Sequence, residues 1–241
     1  MRATATPAFA LALLSSTLPA QAEASMPAAF VDTATVVDGL VVDMRYFGTD
    51  NFIGRRIDGY EAPRCLLARP DAAALAAVQR DLVARGFGLK VHDCYRPARA
   101  VAHFVRWARD LADVARKAEY YPDIDKRDLF RLGYIASRSG HSRGATVDLT
   151  LVRHSASKTR VNALMAAGEG TQDVDMGTPF DFFSPKSWPS DRSVSPEAQK
   201  NRALLAAAMG RGDFRPYDKE WWHFTLGREP FPSTYFDFPV R

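Results

Sequence analysis

The period of apolar positions changes several times along the chain. Alanines and leucines fill "PDAAALAAVQRDLVARGFG". Pro70 and Asp71 open that run and Gly86 closes it, which predicts a helix. "LKVHDCY" alternates instead, with Leu89 and Val91 on one side, and predicts a strand. A longer helix follows in "RPARAVAHFVRWARDLADVARKAEYY", where Pro97 suits the first turn. "GATVDLTLVR" alternates again at Val147, Leu149 and Leu151, "PEAQKNRALLAAAMGRG" is a third helix with a glycine stop, and "EWWHFTL" closes as a strand. An earlier stretch, "ATVVDGLVVDMRYFG", predicts a strand region. The elements mix without regular β-α-β spacing. The expected class is therefore α+β, with a small, largely antiparallel central sheet flanked by helices.

Composition leaves that picture intact. At 241 residues, 46% hydrophobic and 25% charged, the chain suits a soluble globular protein with one real core. Its charge of +4 is dispersed rather than gathered in a run, so no nucleic-acid partner is expected. The N-terminus stands apart. "MRATATPAFALALLSSTLPAQA" sets Arg2 ahead of an apolar stretch and ends small-x-small at Ala20-Gln21-Ala22. It reads as a secretory signal over residues 1–22, cleaved before Glu23 to leave one domain over 23–241. The apolar run is too short to span a bilayer and no cysteine follows the cleavage point, so no membrane anchor is expected. The mature protein is expected to be exported, periplasmic or secreted. Export bears on Cys65 and Cys94, two small buried hydrophobes in a reducing compartment. In an oxidising one their even count invites a disulfide that closes a loop of about 30 residues.

Candidate chemistry gathers around two of the five histidines. His92 lies in a strand, His103 in the long helix and His154 after a strand. Nothing near them completes a ligand set, and they read as ordinary core or surface residues. His141 differs, because Ser139, Gly140, Ser142 and Gly144 form a turn that exposes a side chain where a strand begins. Asp148 then sits between Val147 and Leu149, so alternation places its carboxylate on the face of Thr146 and Thr150. A carboxylate within an apolar strand needs a partner, which a metal cation or an arginine can supply. Glu220 and His223 pose the same question among Trp221, Trp222 and Phe224. Residues three apart face opposite sides of a regular strand. Glu220 must therefore lie at an irregular strand start if both groups are to meet one centre. Two histidines and an aspartate fill three positions of a tetrahedral zinc site and leave the fourth for water, whose proton the spare glutamate can take. The competing reading is a buried polar network without metal.

The same stretches carry a resemblance. "SRSGHSRGATVDLTL", "KEWWHF" and "VHDCYRP" closely resemble the D-alanyl-D-alanine dipeptidase family of zinc peptidases. "RYFGTDNFIG", "GYEA", "YYPDID", "MGTPFDFF", "AQKNR" and "STYFDFPV" match that family's pattern in order, from about Val37 to the C-terminus. The S-x-H-x6-D and E-x-W-H elements alone are shared with muralytic carboxypeptidases and the hedgehog fold, and the added segments narrow the likeness. The resemblance implies one zinc ion per chain on His141, Asp148 and His223, with Glu220 as base and proton shuttle. It implies that Arg96 stabilises the oxyanion, that Asp181 holds the substrate's ammonium group, and that Ser139 and Tyr46 line the substrate pocket. The implied fold is a small α+β one with zinc on a central antiparallel sheet. The implied partner is a small dipeptide, D-Ala-D-Ala, cleaved to two D-alanines. The vancomycin-resistance member works in the cytosol, whereas an export signal suits recycling or catabolism of wall-derived dipeptide. The alternative on this scaffold is a peptidoglycan carboxypeptidase or endopeptidase. A non-catalytic zinc module needs neither Glu220 nor Arg96.

Overall fold

The computed structural model describes residues 24–154 and 171–241, and the expected export signal over residues 1–22 lies outside them. The described chain opens with β1 (Phe30–Asp32), β2 (Val41–Val42) and β3 (Leu66–Ala68), then α1 (Arg69–Val83), β4 (Phe87–Asp93) and α2 (Ala98–Arg109). Two short helices, α3 (Lys117–Tyr120) and α4 (Leu129–Leu132), lead to β5 (Thr146–His154) and β6 (Thr171–Asp173). The chain closes with α5 (Pro196–Arg211), β7 (Phe214–Tyr217) and β8 (Glu220–Leu226). This is the α+β class that the sequence pattern predicts. Among the described residues no helix is long and apolar enough to cross a membrane.

The central sheet runs β2-β4-β5-β8-β7, with β6 also paired to β5, while β1 and β3 form a separate antiparallel pair. Every pairing in the larger sheet is antiparallel except β2 with β4. The middle strand, β5, has Val147, Leu149 and Leu151 sealed from solvent, as alternation requires, while Thr146, Asp148 and Thr150 take the other face. Helix α1 buries Ala72, Leu75, Ala76, Gln79 and Leu82 at helical spacing and packs against β4 and α5. Ser195 caps α5 by accepting a hydrogen bond from the Ala198 N–H at 3.0 Å.

Two expectations change. The early strand region shrinks to the two residues of β2, because Asp32 accepts a bond from the Ala34 N–H and turns the chain at Thr33 instead. The second helix stops at Arg109 rather than continuing to Tyr121. The Lys126 ammonium lies over the Trp107 ring and takes the Asp110 carbonyl at 2.7 Å, while Asp110 accepts from the Ala112 N–H in a local turn. Those competing partners end the helix.

Two tertiary features have measurable consequences. Cys65 and Cys94 are joined, both fully buried, across a separation of 29 residues. Thiol titration of denatured, unreduced protein should find no free thiol, and Cys65→Ser/Cys94→Ser should lose about 3 kcal/mol of stability in a denaturant melt. Two reactive thiols in the wild type would contradict the bond. Asp71, in the first turn of α1, is sealed from water and neither carboxyl oxygen has a hydrogen-bond partner; burial pushes its pKa from 3.8 up to about 7. The native carboxyl thus keeps its proton through a range where the unfolded chain has lost it. Its contribution to stability should fall as pH rises from about 4 to 7. Denaturation midpoints of Asp71→Asn across that range should lack this fall, and parallel curves for variant and wild type would refute the assignment.

Candidate metal centre

The site grows from one row across the sheet. Register places Asp93 of β4 opposite Asp148 of β5, and Asp148 opposite His223 of β8. Asp93 reaches that row through an irregularity. The β4–β5 register shifts between Val91 and Asp93, with His92 the unpaired residue. Strict alternation would have put Asp93 with Val91 in the core; the bulge turns it to the face of Asp148. A second irregularity lies between β7 and β8, where Tyr217 pairs with Glu220 but Pro216 pairs with Phe224. Glu220 therefore opens its strand at a break in the ladder, and its Oε2 comes 3.4 Å from His223 Nδ1.

His141 comes from a short 3₁₀ turn, Gly140–Arg143, just before β5. Ser139 caps the turn by accepting from the His141 N–H at 3.3 Å, and Gly144 ends it at φ 79°. A Cβ on Gly144 would fall 2.3 Å from the Phe30 ring, so both conformation and space demand glycine there. The His141 ring is fully buried, with Nδ1 2.7 Å from the Cys94 carbonyl. A carbonyl only accepts, so Nδ1 carries the proton and Nε2 is left with a free lone pair.

That lone pair meets two others. His141 Nε2 lies 3.2 Å from Asp148 Oδ2 and 3.3 Å from His223 Nδ1, and His223 Nδ1 lies 3.1 Å from Asp148 Oδ1. Ligands on tetrahedral bonds of 2.0–2.1 Å stand about 3.3 Å apart. The triangle therefore has the dimensions of three positions around one zinc-sized ion. Asp148 Oδ1 is also buried without a hydrogen-bond donor, an orphaned acceptor that a cation would satisfy. Burial opposes charge on both sides of the triangle, yet the two histidines hold Asp148 well below the usual carboxylate range. Burial likewise works against protonated His223, but Asp148 and Glu220 outweigh it and raise its pKa to about 9. The donors and the local field suit a cation.

Arg96 is brought against the same centre, not left on the surface. Its Nε and Nη2 each lie 2.8 Å from Asp93 Oδ2, and Nη2 reaches to 3.5 Å from Asp148 Oδ2. The rings of Tyr46 and Phe104 lie about 5 Å from its guanidinium carbon. Tyr46 and Asp181 also meet, the Tyr46 hydroxyl donating to Asp181 Oδ2 at 2.8 Å. Asp181 is buried at φ 58°, and burial together with the Asp148 and Glu220 charges pushes its pKa well up. Arg96, Ser139, Tyr46 and Asp181 share with Asp148, Glu220 and His223 one cavity of about 270 Å³.

Two contributors lie outside the sequence expectations. Asp93 is fully buried and holds Arg96, and it also accepts from the Tyr60 hydroxyl. The Cys94 carbonyl sets the tautomer of His141. The burial argument that singled out Asp148 applies equally to Asp93 in "VHDCYRP"; the bulge at His92 hid its direction. His92 and His103 take the ordinary places expected of them, His92 stacked on Phe180 and His103 Nδ1 accepting from the Asp58 N–H at 3.2 Å.

Known proteins match this chain in sequence over most of its length. Residues 26–241 match the peptidase M15 family model, described as D-Ala-D-Ala dipeptidase. The D-alanyl-D-alanine dipeptidase of Streptomyces coelicolor is 42% identical over 212 residues, covering 88% of this chain and 97% of that protein. The enzyme of the same name from Enterococcus faecium is 38% identical across 86% of this chain and 95% of its own length. That from Escherichia coli is 32% identical across 81% and 83%. With the family matched from residue 26 to the last residue, and with 83–97% of each relative covered, the chain belongs to the D-Ala-D-Ala dipeptidase family of metallopeptidases.

Proposed function

We propose that this protein is an exported zinc dipeptidase that hydrolyses D-alanyl-D-alanine to two D-alanines, serving recycling or catabolism of cell-wall peptide. The observation that carries the reading is the meeting of His141, Asp148 and His223 at the wall of a cavity that also displays Glu220, Arg96 and Asp181. At about 270 Å³ the cavity sits at the small end of ligand sites, which run from about 300 to 1,000 Å³, and suits a dipeptide. The choice of D-Ala-D-Ala rests on the names of the relatives.

One zinc ion on His141, Asp148 and His223 would supply a Lewis acid for the scissile carbonyl and bring the pKa of water towards 7. Glu220 takes the proton of the attacking water and passes it to the departing amine. Arg96, braced by Asp93, faces the charge that grows on the carbonyl oxygen, and so stabilises the transition state more than the ground state. Asp181, with the Tyr46 hydroxyl on its Oδ2, receives the substrate ammonium, whose charge favours the carboxylate form that burial opposes. Ser139 holds the turn of His141 and presents its hydroxyl at the cavity wall.

The roles of base and ligand separate experimentally. Glu220→Ala should lower kcat by at least about a hundredfold while retaining one zinc per chain after dialysis. His223→Ala should lose both zinc and turnover. A Glu220→Ala protein that purifies without metal would show that Glu220 is a ligand.

Substrate length separates this reading from a carboxypeptidase on the same scaffold. Acetylating the substrate amine removes the partner of Asp181, whose carboxyl then takes a proton, and the lost charge-assisted contact is worth about 1.5–3 kcal/mol, or roughly tenfold to a hundredfold in rate. N-acetyl-D-Ala-D-Ala and a pentapeptide ending in D-Ala-D-Ala should accordingly be cleaved far more slowly than the dipeptide. Equal kcat/KM on dipeptide and pentapeptide would assign the chain to the carboxypeptidase class.

A further inference from the structure

The cavity wall carries charges of both signs, and most are already matched. Asp148 is matched by the two histidines and by Arg96, Glu220 by His223, and Arg96 by Asp93. Two groups of opposite kind, an acid and a base, are left. Asp181 has only the neutral Tyr46 hydroxyl. Arg138 makes no ion pair with any carboxylate among the described residues, although it lines the same cavity. Its guanidinium carbon lies 5.3 Å from the centre of the Tyr235 ring. Arg143 shares that ring at 5.6 Å, but its own fork is taken by Glu229, with Nη2 2.8 Å from Oε1. Arg138 is therefore the cation of this wall with no acid to answer.

Its place in the chain is as telling. Arg138 immediately precedes Ser139, which caps the turn that delivers His141. A group held there would lie beside the metal centre. The stack on Tyr235 limits the wandering of a long side chain and orders its fork in advance. A free dipeptide is a zwitterion of matching pattern, with an ammonium at one end and a carboxylate at the other. Burying the carboxylate without a counter-ion would be costly, and a guanidinium is the side chain best shaped to hold both its oxygens.

We propose that Arg138 is the receptor of the substrate's C-terminal α-carboxylate. This assignment rests on the dipeptidase reading, and it adds a second fixed end. With Asp181 on the ammonium and Arg138 on the carboxylate, the only peptide bond of a dipeptide is held between them.

The test compares acid and amide. Zinc-loaded wild type, Arg138→Ala and Arg138→Lys are assayed on D-Ala-D-Ala and on D-alanyl-D-alaninamide, with zinc content measured for each. Arg138→Ala should keep its zinc and lose about 10- to 100-fold in kcat/KM on the dipeptide. Cleavage of the amide, already slow in the wild type, should change less than about threefold, and Arg138→Lys should recover part of the loss on the dipeptide. Equal losses on acid and amide, or no loss on the acid, would overturn the assignment. A wild type inert to the dipeptide would defeat the dipeptidase reading instead. The same acid–amide comparison is then read on a pentapeptide ending in D-Ala-D-Ala, since a carboxypeptidase substrate presents the same carboxylate. Inertness to both peptides would sink both readings.

Discussion

Two carboxylates with almost no access to water face each other across neighbouring strands, and the site depends on what keeps them there. Asp93 and Asp148 are directly opposed in the β4–β5 ladder and nearly sealed from solvent. Like charges in that relation repel across about 5 Å, and each alone is costly to bury. The pair survives because a guanidinium is built against it, with two imidazoles beyond. Arg96 contacts both, and on the far side of Asp148 stand His223 and His141. Removing Arg96 would leave buried anions unanswered, which ties the strand register to the Arg96 corner.

Much of this was legible in the sequence, because the responsible signals are local. Alternation through Val147, Leu149 and Leu151 fixed the face of Asp148, and the small polar residues around His141 announced a turn at a strand start. The requirement that Glu220 sit at a strand irregularity followed from counting residues, and the β7–β8 ladder breaks at that place. What the sequence does not display is non-local. Period-two reasoning assigns Asp93 to the core face, and only the β5 partner reveals the bulge at His92. The early end of the second helix likewise depends on Lys126, which comes from a later turn to compete for the Asp110 carbonyl. Neither effect leaves a mark within its own segment.

The pocket floor shows how backbone strain serves placement. Asp181 adopts φ 58°, uncommon for a residue with a side chain. Its neighbours Phe180 and Phe183 are buried in aromatic packing, Phe180 against His92 and Trp222 and Phe183 against Phe52 and Tyr134. With those rings anchored on either side, the left-handed turn directs the carboxylate away from the packing and onto the Tyr46 hydroxyl. The aromatic cluster that stabilises the fold thus also aims a carboxyl group.

The bond between Cys65 and Cys94 is linked to the candidate ligand triangle by a hydrogen bond. Cys94 offers its carbonyl to His141 Nδ1 while its sulfur is tied to the start of β3. The same residue therefore belongs to a redox pair through its side chain and to a metal ligand's hydrogen bond through its backbone. Linkage requires such coupling to run equally in both directions. Whatever the oxidised bond adds to the affinity of a metal at His141, the bound metal adds to that bond's resistance to reduction.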